Sequence, residues 1–452
     1  MSPEAPLTDL SREELIALIL EQQRVIEQLR EEIERLKRAG HRSAAPFSRG
    51  KGKNNSKPPG RKPGQGYFRF RTAPEQAPQE VVTAEIPSQC PDCGGELDRV
   101  GEEWATTTDV EINPQPRVRG YRVPVCRCRK CGKPVRGTAP GLAPDQAGAT
   151  AHRLGPGVKA AAHVLHYGVG VPVRKVPQVL KELTGISVTQ SALTQDALRQ
   201  AKGKISAQYQ QLRRSMATAP VVHTDDTGWR VSGQTAFLMG FDSDRATVYQ
   251  IRAQHRHEEV LEIVPADYAG VLVNDRGKSY DARELAGLRQ QKCLAHLLRN
   301  VSDVVERKQG MARQFGLTLK VLLREGLALW KGRQSFSPQQ YQACVQELDQ
   351  KLTHHLRNRV FHDDDNQRLL NGIGGQNDRG HLLRFLFQTG VEPTNNRAER
   401  ILRPAVIARK VSHCSKNQRG AQAFCAFVSV LQTARKNNPT SLTQSLLAFY
   451  SP

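Results

Sequence analysis

The chain has 452 residues, enough for about three domains with separate hydrophobic cores. Its 66 Lys and Arg residues outnumber its 44 Asp and Glu residues, which gives a formal net charge of +22. This surplus predicts a polyanionic partner, most simply nucleic acid. The sequence contains no apolar run of about 18 residues and no N-terminal signal-peptide pattern. We therefore expect a cytoplasmic protein that binds no membrane.

Residues 10–40 have a heptad pattern. Between Leu15 and Leu36, isoleucine occupies the a positions and leucine occupies most d positions, with Gln22 as the polar exception. This pattern favours a parallel two-stranded coiled coil and therefore a homodimer. A single amphipathic helix packed on the rest of the chain is the alternative interpretation.

A strongly basic segment follows at residues 41–75. From residue 42 to residue 71 it contains nine Lys or Arg residues and no Asp or Glu. Its Gly, Pro, Ser and Asn content cannot bury a core. It is either a solvated linker or an arm along DNA phosphates, with Arg61 and Lys62 as candidate contacts.

Two cysteine pairs predict a structural zinc site. Cys90-Pro-Asp-Cys93-Gly-Gly is answered by Cys128-Arg-Lys-Cys131-Gly-Lys after an interval rich in strand-forming residues. Four thiolates at this spacing suit tetrahedral zinc, and glycine after the second cysteine permits a tight turn. We expect a zinc ribbon at residues 86–137. Cys126 could replace Cys128 as a ligand.

Residues 147–216 have helical periodicity. Helices are expected near 155–167, 173–183 and 191–212, with basic residues scattered over them. The segment is either a helix-turn-helix-like DNA-binding module or a helical part of a larger domain.

The period changes from helical to alternating at Ala219. Strands are predicted at 220–230, 234–241, 246–252 and 270–275, with a helix at 257–264 and a further strand at 292–296. Acidic residues are expected at the C-terminal ends of the first and fourth strands, where open α/β sheets place their sites. Residues 301–388 are predicted to form a helical insertion.

A late helix is predicted within 393–410. Thr394 is its expected N-cap, and Pro404 is expected to end or kink it. Glu399 is the last acidic residue of the chain and is surrounded by basic residues. Together with Asp225 and Asp275, Glu399 could hold two Mg²⁺ ions for phosphoryl transfer. The strand pattern does not decide between Asp225 and its neighbour Asp226.

Four motifs resemble those of a bacterial transposase family. They are His-Thr-Asp-Asp-Thr-Gly-Trp-Arg at 223–230, Leu-Val-Asn-Asp-Arg-Gly-Lys-Ser-Tyr at 272–280, Lys-Cys-Leu-Ala-His-Leu-Leu-Arg at 292–299, and the segment at 395–410. The family is that of the insertion sequence numbered sixty-six, in the Asp-Asp-Glu class. The coiled coil, the basic segment and the zinc domain are similar to that family's N-terminal half.

The resemblance implies a multidomain α/β protein with an RNase H-like catalytic core, a helical insertion, and Asp225, Asp275 and Glu399 as the metal-binding triad. It favours Asp225 over Asp226, because the family's first motif reads Asp-Glu-Thr and the leading Asp is the ligand. This chain has Asp226 in place of that Glu, and Thr394 where an Asp often precedes the asparagines.

The expected function is Mg²⁺-dependent cleavage of DNA at element ends and strand transfer to target DNA. The expected partners are terminal inverted repeats, target DNA, a second copy of the chain and helper proteins of the same element, and the expected location is the bacterial nucleoid. Candidate phosphate contacts are Arg400, Arg403, Arg409 and Lys410, whereas His223, Asn396 and His296 are either orienting or structural groups.

The expected domains run in chain order. They are a coiled coil (10–40), a basic linker (41–75), a zinc ribbon (86–137), a helical DNA-binding module (147–216), the first part of the core (217–300), an insertion (301–388), the second part of the core (389–436) and a tail (437–452).

Three alternatives remain on sequence grounds. The chain could be a non-catalytic DNA-binding protein that retains this fold, or a related nuclease that cuts without joining. A zinc-dependent hydrolase is less consistent with the sequence, because the sequence has no His-Glu-x-x-His motif.

Overall fold

The computed structural model describes residues 154–357, 360–437 and 441–450, together with 124–132, 134–136 and short pieces nearer the N-terminus. Within the predicted coiled coil, Ile19 and Ile26 are helical and half-exposed. Most of that segment and the basic segment lie outside the described residues. The described chain is a mixed α/β structure built around a five-stranded sheet.

The described residues include seven strands, which form two sheets. They are β1 (Val125–Arg127), β2 (Pro134–Arg136), β3 (Val221–Val231), β4 (Gln234–Asp242), β5 (Thr247–Arg252), β6 (Val271–Asn274) and β7 (Arg289–Lys292). β1 and β2 pair as a separate antiparallel hairpin. The larger sheet has the order β5-β4-β3-β6-β7, in which β3, β4 and β5 are antiparallel neighbours. β6 runs parallel to both β3 and β7.

Helices account for most of the remaining described residues. They are α1 (Pro156–His163), which continues as a π-helix over Val164–Val169, α2 (Val176–Thr184), α3 (Gln190–Gln200), α4 (Lys204–Met216), α5 (His257–Leu261), α6 (Leu294–Arg307), α7 (Gly310–Gly332), α8 (Pro338–Leu356), α9 (Asp364–Asp378), α10 (Arg384–Phe387), α11 (Asn396–Ser412), α12 (Gln418–Asn437) and α13 (Leu442–Leu447). No helix in the described ranges is long and apolar enough to cross a lipid bilayer.

Two hydrophobic cores lie against the larger sheet. One joins the antiparallel strands to α4 and α12, and Phe241, Tyr249 and Phe427 are buried in it. The other joins β6 to the helices that follow β7, and Val273 and Leu319 are buried there. The helices between β7 and α11 therefore pack on one another and on the parallel side of the sheet.

Two strand predictions were wrong, one in the position of its acids and one in its limits. The first strand does not end in its acids, because β3 continues to Val231, which pairs with Gln234 of β4. Its parallel pairing with β6 ends at His223, so the two acids lie where β3 and β6 separate. The strand predicted at 292–296 is β7, which ends at Lys292 before α6 begins.

Two helix predictions were also wrong in their limits. The helix expected at 191–212 is two helices, α3 and α4, separated at Gly203, where the backbone leaves helical geometry. The N-cap of α11 is Asn395 rather than Thr394, and the helix continues through Pro404 to Ser412. Leu402, two residues before Pro404, is buried and packs the helix against the sheet next to the proline.

Candidate active site

Asp225 lies on the face of the sheet that α11 covers. It pairs directly with Gly240 of β4, and directly paired residues point to the same face. A Cβ atom on Gly240 would lie 2.9 Å from Ile401 and 3.1 Å from Leu402 of α11. The glycine therefore permits the close approach of the helix that brings Glu399 to the side of Asp225.

The other two predicted triad residues come from separate elements. Asp275 directly follows β6, and its Oδ1 accepts a hydrogen bond from the backbone N–H of Gly277 at 2.9 Å. Glu399 lies in the first turn of α11. The separation of β3 and β6 leaves room for both acids beside Asp225.

The other two predicted triad residues act electrostatically on Asp225. Burial raises the pKa of Asp225 to about 7, and the negative charges of Asp275, Asp226 and Glu399 act in the same direction. The backbone N–H of Asp226, 2.9 Å from Asp225 Oδ1, opposes this rise. The structure thus places both Asp275 and Glu399 close enough to Asp225 for their charges to act on it.

These carboxylates do not form a closed ligand cluster. Among the described residues, no group of three or more His, Cys, Asp or Glu side chains is arranged to hold a metal ion. Asp225 and Asp275 each accept a local backbone hydrogen bond, and Glu399 Oε1 lies 3.8 Å from His296 Nε2. Their chemistry nevertheless suits a hard divalent cation, which prefers carboxylate oxygen and would relieve the repulsion.

Asp226 has a different environment from Asp225. Its Oδ1 lies 3.2 Å from His255 Nδ1, and His255 Nε2 lies 3.1 Å from Ser279 Oγ. Burial raises the pKa of Asp226, whereas His255 opposes this rise. Asp226 therefore has an ion-pair partner within the chain that also contacts the loop after Asp275.

The predicted orienting histidines occupy different environments. His223 is buried on β3, and burial together with the charge of Arg397 lowers its pKa to about 4. Its ring is consequently neutral at neutral pH. His296 lies in the first turn of α6, next to Glu399. The strand that was predicted to contain His296 ends at Lys292.

A buried lysine lies beneath the loop that carries Asp275. Lys292 has no exposed surface, and its Nζ lies 2.9 Å from both Asn274 Oδ1 and Asp281 Oδ1. Burial lowers the pKa of Lys292, and the charge of Asp281 opposes the fall. Asp281 also accepts a hydrogen bond from Gln376 of α9 at 3.1 Å. This contact links the inserted helices to the acidic site.

The predicted phosphate contacts on α11 fall into two groups. Arg400, Arg403 and Lys410 are exposed. Arg409 instead donates hydrogen bonds to the hydroxyl of Thr227, at 3.1 Å, and to the carbonyl of Gly228. It therefore fastens the C-terminal half of the helix to β3. Arg61 and Lys62 lie outside the described residues.

The second cysteine pair lies on the turn between β1 and β2. The backbone N–H of Gly132 donates to the Cys128 carbonyl at 2.9 Å, and Gly132 has a positive φ of 71°. Hydrogen bonds from the backbone of Cys131 and Lys130 lower the pKa of the Cys128 thiol. Cys126 lies within β1 instead. Cys90 and Cys93 lie outside the described residues.

Two family models match this chain, and the matched residues include the sheet, its acids and the cysteine turn. A sequence model described as the transposase IS66 family matches residues 152–423. Another, described as the zinc-finger binding domain of transposase IS66, matches residues 87–132. A comparison with curated proteins found no match. The class is that of transposases, which act on DNA.

The first match covers more than half of the 452 residues and includes all four motifs noted in the sequence. The chain therefore belongs to the IS66 family of transposases. The resemblance drawn from those motifs is confirmed.

Sequence reasoning missed three residues around the acids. Asn395, rather than the exposed Asn396, is the buried asparagine of the fourth motif. Its position before the helix could have indicated an N-cap, but not its contacts with other elements. Lys292 belongs to a recognised motif, yet its charge gave no sign of burial. His255 follows β5 without any distinguishing pattern.

Proposed function

We propose that this chain cleaves DNA at the ends of a mobile element and transfers the strands to target DNA. The observation that carries the proposal is that two acids from other elements act on the charge of Asp225. Asp275 and Glu399 both act on Asp225, whose pKa burial raises to about 7. The proposed metal ligands are therefore Asp225, Asp275 and Glu399.

The donor set fits two Mg²⁺ ions. Three carboxylates with few competing cations supply the hard oxygen ligands that Mg²⁺ prefers. Bound ions would neutralise charge on the scissile phosphate and activate the attacking hydroxyl. Asp226 is held by His255 at 3.2 Å, which leaves Asp225 as the acid of this pair that faces Glu399.

The topology supports an RNase H-like core for this proposal. Three antiparallel strands are followed by two strands parallel to the first, in the order β5-β4-β3-β6-β7. Helices α6 to α10 interrupt the chain between β7 and the helix that carries Glu399. This order of elements supports the proposal of a core interrupted by a helical insertion.

The exposed cations of α11 would bind the DNA strand that enters the site. Arg400 and Arg403 follow Glu399 by one and four residues, and Lys410 continues the basic surface along the helix. Arginine can contact phosphate with two parallel hydrogen bonds. These contacts would place a phosphodiester next to the acids without reading its sequence.

The zinc domain would supply further DNA contacts, with zinc held by Cys90, Cys93, Cys128 and Cys131. The turn geometry at Cys128 supports this assignment over one that uses Cys126. We expect the Cys128→Ser protein to lose its zinc equivalent and the Cys126→Ser protein to retain it, as measured by elemental analysis. The reverse result would make Cys126 the ligand.

A coiled coil at residues 10–40 would pair two copies across two DNA ends. Ile26 occupies an a position of the heptads, so an Ile26→Lys substitution places a charge in the seam. We expect light scattering to show a dimer for the parent and a monomer for this variant. A monomeric parent at micromolar concentration would contradict the pairing.

The proposed chemistry is tested by Mg²⁺-dependent cleavage of DNA that carries the element end. The variants are Asp225→Asn, Asp275→Asn and Glu399→Gln, with Asp226→Asn as the matched control. Removing a transition-state contact can cost a factor of about 10² to 10³ in rate. We expect losses of that order in the three triad variants and a much smaller loss in the control.

The outcomes separate the candidate functions. Cleavage that depends on Asp226 and survives Asp225→Asn would contradict the assigned triad. Cleavage without strand-transfer products on supercoiled target DNA would indicate a nuclease. Tight binding to the correct end without any cleavage by the parent would favour a non-catalytic DNA-binding protein.

A further inference from the structure

The carboxylates are joined through one buried asparagine. We propose that Asn395 is a positioning residue that sets the distances between Asp225, Asp275 and Glu399, and that it does so together with Cys293. This inference rests on the proposed function, because it concerns the metal ligands assigned there. It adds two residues with side chains that do not touch the reacting groups.

Asn395 contacts the elements that carry two of the acids. Its side chain is 1% exposed, and its Nδ2 donates a hydrogen bond to the carbonyl of Thr224 at 2.7 Å. Thr224 directly precedes Asp225 on β3. The carbonyl of Asn395 accepts a hydrogen bond from the backbone N–H of Glu399 at 3.2 Å. Asn395 thus ties the first turn of α11 to the strand position next to Asp225.

Cys293 extends this connection to the third acid. The backbone N–H of Asn395 donates to Cys293 Sγ at 3.2 Å. The backbone N–H of Cys293 donates in turn to the carbonyl of Asn274 at 2.8 Å, and Asn274 directly precedes Asp275. A continuous series of hydrogen bonds therefore links the backbone beside all three carboxylates.

The orientation of Asn395 departs from the usual behaviour of its position. An asparagine at an N-cap ordinarily accepts a hydrogen bond from the helix's own second or third N–H group. Asn395 is the N-cap of α11, yet its side chain makes no such bond. The amide is directed to β3 instead. The helix forgoes a local cap, and the contact it gains joins two elements of the acidic site.

The adjacent residue provides a matched control. Asn396 has the same side chain and is exposed on the first turn of α11. The experiment compares full-length parent, Asn395→Ala, Cys293→Ala and Asn396→Ala proteins. Binding of Mn²⁺ to the metal-free proteins is measured by electron paramagnetic resonance. The Mg²⁺ concentration for half-maximal end cleavage and the affinity for end DNA without metal are measured in parallel.

Residues that orient metal ligands typically change metal affinity by about 10-fold to 100-fold when removed. We expect Asn395→Ala to weaken Mn²⁺ binding and to raise the half-maximal Mg²⁺ concentration within that range. Cleavage should recover at saturating metal, and the affinity for end DNA should stay close to that of the parent. Cys293→Ala should act in the same direction, whereas Asn396→Ala should match the parent.

Two results would overturn the inference. Equal Mn²⁺ binding and equal Mg²⁺ dependence in the Asn395→Ala and Asn396→Ala proteins would show that Asn395 does not position the ligands. If Asn395→Ala does not fold, parent-like metal dependence in Cys293→Ala would overturn the series of hydrogen bonds. A parent that neither binds Mn²⁺ nor cleaves would instead contradict the proposed function itself.

Discussion

Two acidic sites border the first turns of α11, and they differ in how their charge is balanced. Asp242 is 1% exposed and lies 2.6 Å from Arg397 Nε and 2.5 Å from Lys436 Nζ. Asp225 accepts only a backbone hydrogen bond from its neighbour and has other acids as its charged surroundings. The same helix therefore brings an arginine to one acid and a glutamate to the other.

Under the proposed function, this difference distinguishes a structural acid, Asp242, from a metal ligand, Asp225. A buried carboxylate is stable when cations of the protein pair with it. Asp242 meets that condition and anchors α11 to the end of β4. Asp225 does not meet that condition, and a bound cation would complete the charge balance there.

The largest expected effect comes from breaking the balanced site. Asp242→Asn removes a buried charge and leaves the partly buried Arg397 and Lys436 without it. Removing one member of a buried ion pair typically costs about 3–5 kcal/mol. We expect a loss of that order in the free energy of unfolding measured with urea. The control Asp244→Asn, at an exposed member of the same group, should lose no more than about 1 kcal/mol.

Removing the charge of Asp225, which has no cation partner, should favour the folded protein more as the pH rises. In the folded metal-free protein the pKa of Asp225 is about 7, against an ordinary value of 3.8. The folded state then holds a proton that the unfolded state has released, so stability falls as pH rises between these values. Asp225→Asn removes this loss.

We expect the stability of Asp225→Asn relative to the parent to be about 2 kcal/mol more favourable near pH 8 than near pH 4, after allowance for partial exposure. Urea unfolding in the presence of a chelator measures it. A difference between variant and parent that is independent of pH would contradict the raised pKa.

Added Mg²⁺ should stabilise those proteins that retain the proposed ligands around Asp225. A ligand at ten times its dissociation constant stabilises the folded state by about 1.4 kcal/mol. We expect Mg²⁺ to stabilise the parent and Asp242→Asn by similar increments and Glu399→Gln by much less. Thermal unfolding over a Mg²⁺ titration measures this. Equal increments in all three proteins would place the metal elsewhere.

The smallest expected effect concerns the exposed cations beyond the acids. Each phosphate contact contributes about 0.9 to the slope of log affinity against log salt concentration. We expect Arg403→Ala to lower the slope for end DNA by about that amount. Arg409→Ala should leave it unchanged, because Arg409 bonds to β3. The same reduction in both variants would place the Arg409 side chain on DNA as well.

The sequence predicted the elements of the sheet better than their limits. Alternating and apolar runs are local signals, so β4 and β6 were placed within a residue or two. β3 was placed as well, but its acids lie within the strand, where its pairing with β6 ends, and this depends on a contact between segments that a single run does not contain. The break at Gly203 was missed because the helical pattern continues on both sides of it.

The sequence could predict those residues of the candidate site that their residue type distinguishes. Acids at strand ends and on a late helix stand out in a basic chain, and the family resemblance selects among them. Asn395 and Cys293 are not distinguished by residue type. Their proposed role depends on contacts between segments about a hundred residues apart in the chain.

Pro404 interrupts the backbone hydrogen bonds of α11, because proline has no backbone N–H group. The carbonyl of Arg400, four residues earlier, receives no backbone hydrogen bond from Pro404. On one side of this gap lies the turn with Glu399, and on the other lie the turns that Arg409 fastens to β3. The two parts of the helix therefore depend on separate contacts with the sheet. The turn with Glu399 is held by Asn395, which bonds to β3, and by Arg397, which pairs with Asp242.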